Sequence, residues 1–272
     1  MKDEREKVHV APREGWPLLL RISPRTLLLV VLGWLMLAWA MFIAVDIWGL
    51  VDLANFGAGK PLWRYLFNDH PVEWTQWFLL AFAIVAAAYL AGRLCVGGRA
   101  MASRFFLLFA IGLGLMLIEE AGDIRHSLSF YLERAFGPQI LGLHRSVVSD
   151  VPYFAALAAV PLYALLRYGR YAWESVRLRF YLASGVMLYA LAAIASGIRD
   201  FRDFYVIIGA WIDGALFGNR FPIPYDYTQA TAHFFIVDSV IEESVELLAA
   251  TMILAAILAF AGDLRLWQKG GE

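Results

Sequence analysis

The segment "FFIVDSVIEESVELLAATMILAAILAFAG", from Phe234 to Gly262, decides how this chain folds. It is longer than the about 20 mostly apolar residues that an α-helix needs to cross a lipid bilayer. All four of its glutamate and aspartate side chains before Gly262 lie in its first half, and its second half is apolar. The segment therefore predicts a membrane-spanning helix with one acidic end and one apolar end.

Five further segments meet the same criterion of length and hydropathy. The chain of 272 residues is 61% hydrophobic with a mean hydropathy of +0.61, which is well above the composition of ordinary soluble domains. We therefore expect an all-α, polytopic integral membrane bundle of six transmembrane helices over residues 26–262, between tails at 1–25 and 263–272. The five other predicted spans are Thr26–Leu50, Thr75–Val96, Arg104–Asp123, Val151–Arg167 and Phe180–Ile198.

The distribution of basic residues predicts the orientation of this bundle. Cytoplasmic segments of membrane proteins carry an excess of lysine and arginine, and here the excess lies on the side of the two chain ends. We expect both termini in the cytoplasm and a multi-pass protein of the cell membrane, specifically a bacterial inner membrane. The net charge of −1 and the scattered basic residues exclude nucleic acid as a partner. Membrane lipids, and other membrane subunits as an alternative, remain as expected partners.

A second acidic motif, "LMLIEEAGDIRHSL" from Leu115 to Leu128, ends the predicted third span. Positions i, i+4 and i+7 share a helix face, so Glu119, Asp123 and His126 are predicted to align, with Glu120 and Arg125 pointing elsewhere. The same spacing places Asp238, Glu242 and Glu246 in one row on the sixth span. At 1.5 Å per residue both rows reach the same depth.

The two motifs also echo each other, since "IEEAGD" in the third span matches "IEESVE" in the sixth. Two three-span halves would have opposite orientations, as in transporters with inverted repeats. We therefore expect a weak 3+3 inverted repeat. The loops of the two halves do not correspond.

Two connections on the side opposite to the chain ends mix aromatic and charged residues. They read "KPLWRYLFNDHPVEWTQW" over 60–77 and "FRDFYVIIGAWIDGALFG" over 201–218. Such segments suit the headgroup level of a membrane, where Trp and Tyr form an aromatic belt. A lid over a functional site is the alternative interpretation.

Carboxylates within a span are costly and need partners or neutralisation. Their negative charge could be neutralised by protonation, by a bound cation, or by nearby arginines such as Arg125, Arg199 and Arg202. A single cysteine excludes a cysteine cluster, so a metal would take oxygen and nitrogen ligands, which suits iron, manganese or zinc. The predicted metal ligands are Glu119, Asp123, His126, Glu242, Glu246 and His233, and Asp238 is the predicted catalytic group that moves protons.

Part of this pattern resembles the carboxylate-bridged di-metal sites of four-helix bundles. In those sites acidic residues and histidines three positions apart point inward, as in Asp123-x2-His126 after Glu119 and in Glu243-x2-Glu246. The chain departs from the pattern because Ala249 stands where a second histidine would follow Glu246. The resemblance implies a divalent metal site and no shared fold.

Three functions remain open on the sequence alone. The first is a membrane-embedded metalloenzyme that acts on a hydrophobic or lipid-like substrate. The second is a cation or proton-coupled transporter that uses the same carboxylates, and the third is a structural subunit of a larger membrane complex. The halves of the spans nearest the chain ends hold almost no ionisable group, which favours a pocket open to one side over a path through the membrane.

Overall fold

The computed structural model describes residues 17–51, 61–68, 71–137, 139–140, 143–173, 175–199, 201–224 and 227–270. Within them six helical segments are long and apolar enough to cross a membrane. The predicted all-α polytopic bundle is confirmed. A two-residue antiparallel pairing, β1 (Gln139–Ile140) with β2 (Leu143–His144), is the exception to helix and turn among the elements described.

The spans are carried by long helices that are joined to shorter ones. In chain order the helices are α1 (Pro24–Phe42), α2 (Leu62–Leu66), α3 (Pro71–Val96), α4 (Ala100–Gly122), α5 (Ile124–Phe136), α6 (Arg145–Tyr168), α7 (Val176–Gly197), α8 (Phe204–Ile212), α9 (Gln229–Phe235) and α10 (Glu242–Gly270). Three π-helical turns continue helices at Ile43–Ile47, Asp213–Phe217 and Ile236–Ile241. Turns of 3-10 helix occupy Leu18–Arg21, Gly169–Tyr171 and Phe201–Asp203.

The observed helices begin a few residues before the predicted spans, because their first turns and caps lie outside the apolar windows. The first begins at Pro24 rather than Thr26, since Ser23 caps it by accepting a hydrogen bond from the Thr26 backbone. The sixth span begins within α9 and runs through the last π-helical turn into α10. The predicted positions of all six spans are otherwise reproduced.

The helix α10 lies at the centre of the bundle. It packs against α7, α3 and α1, while α4 packs against α3 and α6. Small residues permit the close approach: a Cβ added at Gly185 of α7 would lie 3.0 Å from the Ile253 side chain of α10. The turn Leu18–Arg21 also contacts α10, and Ser175 donates a hydrogen bond to Asp263. The first described residues and the end of α10 therefore lie at the same end of the bundle.

The helix packing corresponds to a 3+3 repeat in part: α3 against α4 has its counterpart in α7 against α10, and α1 against α10 has its counterpart in α4 against α6. In a 3+3 repeat the packing of α3 against α10 would have its counterpart between α4 and α7. Those two helices form no comparable interface within the described residues. The inverted repeat stays a prediction from sequence, as does the cytoplasmic orientation of the termini.

The two aromatic connections form a packed cap at the end of the bundle opposite to the chain ends, which we call the distal end. Trp63 of α2 and Tyr205 of α8 are almost fully buried, while Trp74 and Trp211 are exposed as expected for an aromatic belt. The Asp46 carboxylate fixes α2 by accepting hydrogen bonds from the Leu62 and Trp63 backbone at 2.9 and 2.7 Å. Phe42, Phe67, Phe217, Phe221 and Phe235 complete the aromatic cluster.

The third span ends earlier than the sequence predicts. Helix α4 stops at Gly122, Asp123 has a left-handed backbone with φ of 46°, and α5 starts at Ile124. The prediction that Glu119, Asp123 and His126 lie on one continuous helix face is therefore wrong. Asp tolerates the left-handed conformation better than most residues do, which is why the break can occur there. The side chain of His126 lies outside the described part of the structure.

Candidate functional site

A cavity of about 110 Å³ lies at the distal end, where α3, α4 and α10 meet. Carboxylates dominate its wall, and we call it the acidic cavity. Its lining consists of eight acidic residues, one arginine and one phenylalanine: Glu73, Glu119, Glu120, Asp123, Asp238, Glu242, Glu243, Glu246, Arg125 and Phe154. The two acidic motifs of the sequence therefore meet around one space.

The helix ends explain how these side chains converge. Glu119 and Glu120 come from the last turn of α4, and Glu242, Glu243 and Glu246 come from the first turns of α10. All five thus lie where the spans reach the distal end. The prediction that Glu120 and Arg125 point away from the site is wrong, because both line the cavity. The left-handed turn at Asp123 redirects the chain and brings Arg125 back over α4.

Arg125 ties two carboxylates together. Its guanidinium lies 3.2 Å from Asp150 Oδ2 and 3.7 Å from Glu119 Oε1, and it stacks over the Phe154 ring at 5.1 Å. Burial acts to lower the pKa of Arg125, but Asp150, Glu242 and Glu119 together raise the pKa above its ordinary value. The side chain therefore stays charged. The Tyr153 hydroxyl also donates to Glu119, so Glu119 is held by two partners.

Two other carboxylates have partners from the cap. Arg199 lies 3.5 Å from Asp238 Oδ1. The Tyr205 hydroxyl donates to Glu242 Oε2 at 2.8 Å. Burial and the neighbouring Glu242 raise the pKa of Tyr205, so it remains a protonated donor at neutral pH. Helix α8 thus reaches from the aromatic cap to the acidic cavity.

The remaining glutamates have fewer partners. Gln76 donates to Glu246 Oε2 at 3.1 Å. The Oε2 atom of Glu243 is buried and accepts no hydrogen bond from the residues described. No cationic side chain of the described residues forms an ion pair with Glu120, Glu242, Glu243 or Glu246. The cavity therefore has an excess of hydrogen-bond acceptors and of negative charge.

An apolar cavity of about 220 Å³ adjoins the acidic cavity and extends from it along α10, away from the distal end. The two cavities share Glu119, Glu120, Glu246 and Phe154. The other lining residues are apolar except for Tyr189: Phe109, Leu113, Met116, Leu157, Ala158, Pro161, Leu162, Leu165, Val186, Ala190, Ala193 and Ile253. Carboxylates thus stand at the head of a hydrophobic slot.

This slot lies between α4, α6, α7 and α10, each of which contributes to its lining. Part of its wall reaches the outer surface of the bundle, since Leu162 of α6 is 46% exposed and Ala190 of α7 is also exposed. These two exposed lining residues lie on α6 and α7, and we call this part of the cavity wall the lateral edge.

His233 lies away from both cavities. Its Nε2 atom is 3.2 Å from Asp213 Oδ2, and Asp213 also accepts a hydrogen bond from the Phe221 backbone at 3.0 Å. The buried Asp213 thus links α9 to the chain after α8. Of the predicted metal ligands, Glu119, Asp123, Glu242 and Glu246 line the acidic cavity together with Asp238, while His233 does not.

No three acidic, histidine or cysteine side chains in the described ranges already have the geometry of a metal site. The prediction of a divalent metal is therefore supported by the charge and composition of the cavity, and not by a preformed set of ligands. The sequence pattern did not identify Glu73, and the predicted metal ligands included neither Glu120 nor Glu243. The double glutamates "EE" of both motifs were the signal that could have identified the last two.

Comparison with protein-family models, with curated proteins and with solved structures finds no match for this chain.

Proposed function

We propose that this protein is a membrane-embedded enzyme that binds a divalent cation in the acidic cavity and acts on a lipid-like substrate held in the apolar cavity. The observation that carries the proposal is the shared wall of Glu119, Glu120 and Glu246. It places polar chemistry at the head of a hydrophobic slot. An amphiphile bound there presents the junction between its chain and its head group to the carboxylates.

Charge balance supports the cation. Several carboxylates that share a cavity in a low dielectric repel one another strongly. Arg125 and Arg199 have Glu119, Asp150 and Asp238 as partners, which leaves Glu120, Glu242, Glu243 and Glu246 to hold a cation. Iron, manganese or zinc suits such oxygen donors. A cation there would act as a Lewis acid toward a bound polar group.

The surrounding residues have roles that fit this chemistry. Asp238 lies on the π-helical turn at the cavity wall, 3.5 Å from Arg199, and is the proposed proton carrier. Tyr205 orients Glu242 through its hydrogen bond. Glu119, held by Arg125 and Tyr153, positions the end of α4. π-helical turns are frequent at functional sites, and this one precedes the glutamates directly.

The apolar half of α10 supports an enzyme over a transporter. From Leu247 to Ala261 the helix is apolar apart from Thr251, whose hydroxyl bonds to the Leu247 carbonyl. Most of these side chains are fully buried. A transported cation would need polar groups along this stretch. The proposed location is a bacterial inner membrane, with membrane lipids as the source of substrate.

Elemental analysis of protein purified in a non-ionic detergent tests the cation directly. We expect about one iron, manganese or zinc ion per chain, and loss of that ion in the double variant Glu242→Gln plus Glu246→Gln. The matched control is Glu133→Gln, which removes a carboxylate of α5 that lines neither cavity. Wild-type protein without stoichiometric metal would refute the cation. Flux of ions driven by a pH gradient in proteoliposomes would favour the transporter instead.

A further inference from the structure

We propose that the substrate is an amphiphile with one alkyl chain and a positively charged amine head group, and that it enters sideways from the bilayer between α6 and α7. This inference rests on the proposed function, because it names the substrate class of the same site. It is carried by the shape of the apolar cavity, its lateral edge and the charge of the acidic cavity.

The lateral edge defines the route. Leu162 and Ala190 line the apolar cavity and are exposed. The cavity is lined by α4, α6, α7 and α10, and its exposed lining residues belong to α6 and α7. A chain lying in the lipid can thus slide into the slot without passing through water.

The size of the slot indicates a single chain. Its volume of about 220 Å³ lies below the about 300–1,000 Å³ typical of pockets for whole drug-sized ligands. From Glu246 to Ile253 the slot follows seven residues of α10, about 10 Å at the helical rise. A second chain would have no space beside the first.

The charge of the head group follows from the acidic cavity. Eight acidic side chains line it against one guanidinium, so its lining favours a positively charged head group over an anionic one. A phosphate or sulfate head group would be repelled. An ammonium group brings both positive charge and N–H donors, and the buried Glu243 Oε2 atom lacks a donor among the described residues.

The head group also decides the selectivity. A hydrocarbon chain gains little by leaving lipid for an apolar cavity, because lipid tails are as apolar as leucine. Charged pairs in a low dielectric interact far more strongly than they do in water. We therefore expect discrimination by head-group charge at fixed chain length.

Native mass spectrometry of the protein in a neutral maltoside detergent measures this discrimination. The probes are dodecylamine and dodecyl phosphate, which have the same chain and opposite charge. We expect at least tenfold tighter binding of dodecylamine. Glu246→Gln should reduce that preference several-fold, whereas Glu133→Gln should leave it unchanged.

A second pair of variants tests the slot. Ala193→Trp fills the apolar cavity and should abolish dodecylamine binding. Ala183→Trp introduces the same side chain at an exposed position of α7 outside the cavity and should bind like the wild type. A monodisperse elution profile verifies that each variant is folded.

Two results would overturn the inference. One is binding of dodecyl phosphate that equals or exceeds that of dodecylamine. The other is dodecylamine binding that neither Glu246→Gln nor Ala193→Trp changes. Metal content measured on the same preparations separates this inference from the proposed cation site. Metal-free protein that binds dodecylamine with the expected pattern would refute the cation and support the amine-bearing substrate.

Discussion

The substitution Arg125→Ala tests how the acidic end of the bundle is held together. Arg125 contacts Asp150 at 3.2 Å and Glu119 at 3.7 Å, and Asp150 has no exposed surface. Without the guanidinium Asp150 keeps one hydrogen bond, from Ser149 at 2.7 Å. Its charge then lies buried without a cationic partner.

The expected penalty follows from that burial. Removing one partner of a buried ion pair costs about 3–5 kcal/mol, because the other charge stays uncompensated. For a chain of this size 1 kcal/mol corresponds to roughly 2–4 °C in Tm. We therefore expect the Tm of Arg125→Ala in detergent to fall by about 6–20 °C.

Two further variants serve as a control and as a rescue for Arg125→Ala. Arg134→Ala removes an exposed arginine that stacks on Phe130 of the same helix, and its Tm should change by less than about 2 °C. Adding Asp150→Asn to Arg125→Ala removes the stranded charge and should restore at least half of the loss. A Tm of Arg125→Ala within about 2 °C of the wild type would refute the reasoning, as would a double variant less stable than the single one.

The remaining predictions concern the cap. Gly209→Ala should prevent stable folding, because a Cβ there would overlap the His233 carbonyl oxygen and lie 2.6 Å from the carbonyl carbon. The control Gly33→Ala, where a Cβ meets nothing within 4 Å, should leave the yield of folded protein unchanged. Normal elution of Gly209→Ala would contradict the packing of α8 on α9. Tyr205→Phe removes the hydrogen bond to Glu242 and should lower the free energy of unfolding by about 1.5–3 kcal/mol. Equal thermal stability of Tyr205→Phe and wild type would show that this hydrogen bond does not hold the cap.

The fold could be read from the sequence because hydropathy reports directly on the spans. An apolar run of about 20 residues has few alternatives to a membrane helix, so all six spans were identified to within a few residues. The sequence also predicted that Glu119 lies at the same depth as Asp238, Glu242 and Glu246 and that these side chains face the bundle interior, but it did not contain which helices are neighbours. Their roles as metal ligands and proton carrier remain predictions.

Other parts of the site depend on local backbone geometry that a periodic pattern does not contain. The helical spacing predicted that Glu119 and His126 share one helix face, but the left-handed backbone of Asp123 ends that helix. The π-helical turn at Ile236–Ile241 likewise adds residues between His233 and the glutamates, so a regular helix spacing does not describe that stretch. Glu73 was missed because it begins a different helix, and only packing brings α3 against α10.

The buried apolar half of α10 also has an electrical consequence. The stretch of 15 residues from Leu247 to Ala261 extends for about 22 Å at the helical rise and carries no ionisable side chain. On the proposed function, α10 therefore offers no ionisable step between the acidic cavity and the compartment at the chain ends. We expect the carboxylates to equilibrate with the pH of the distal compartment, and we expect the protein not to conduct protons across the membrane.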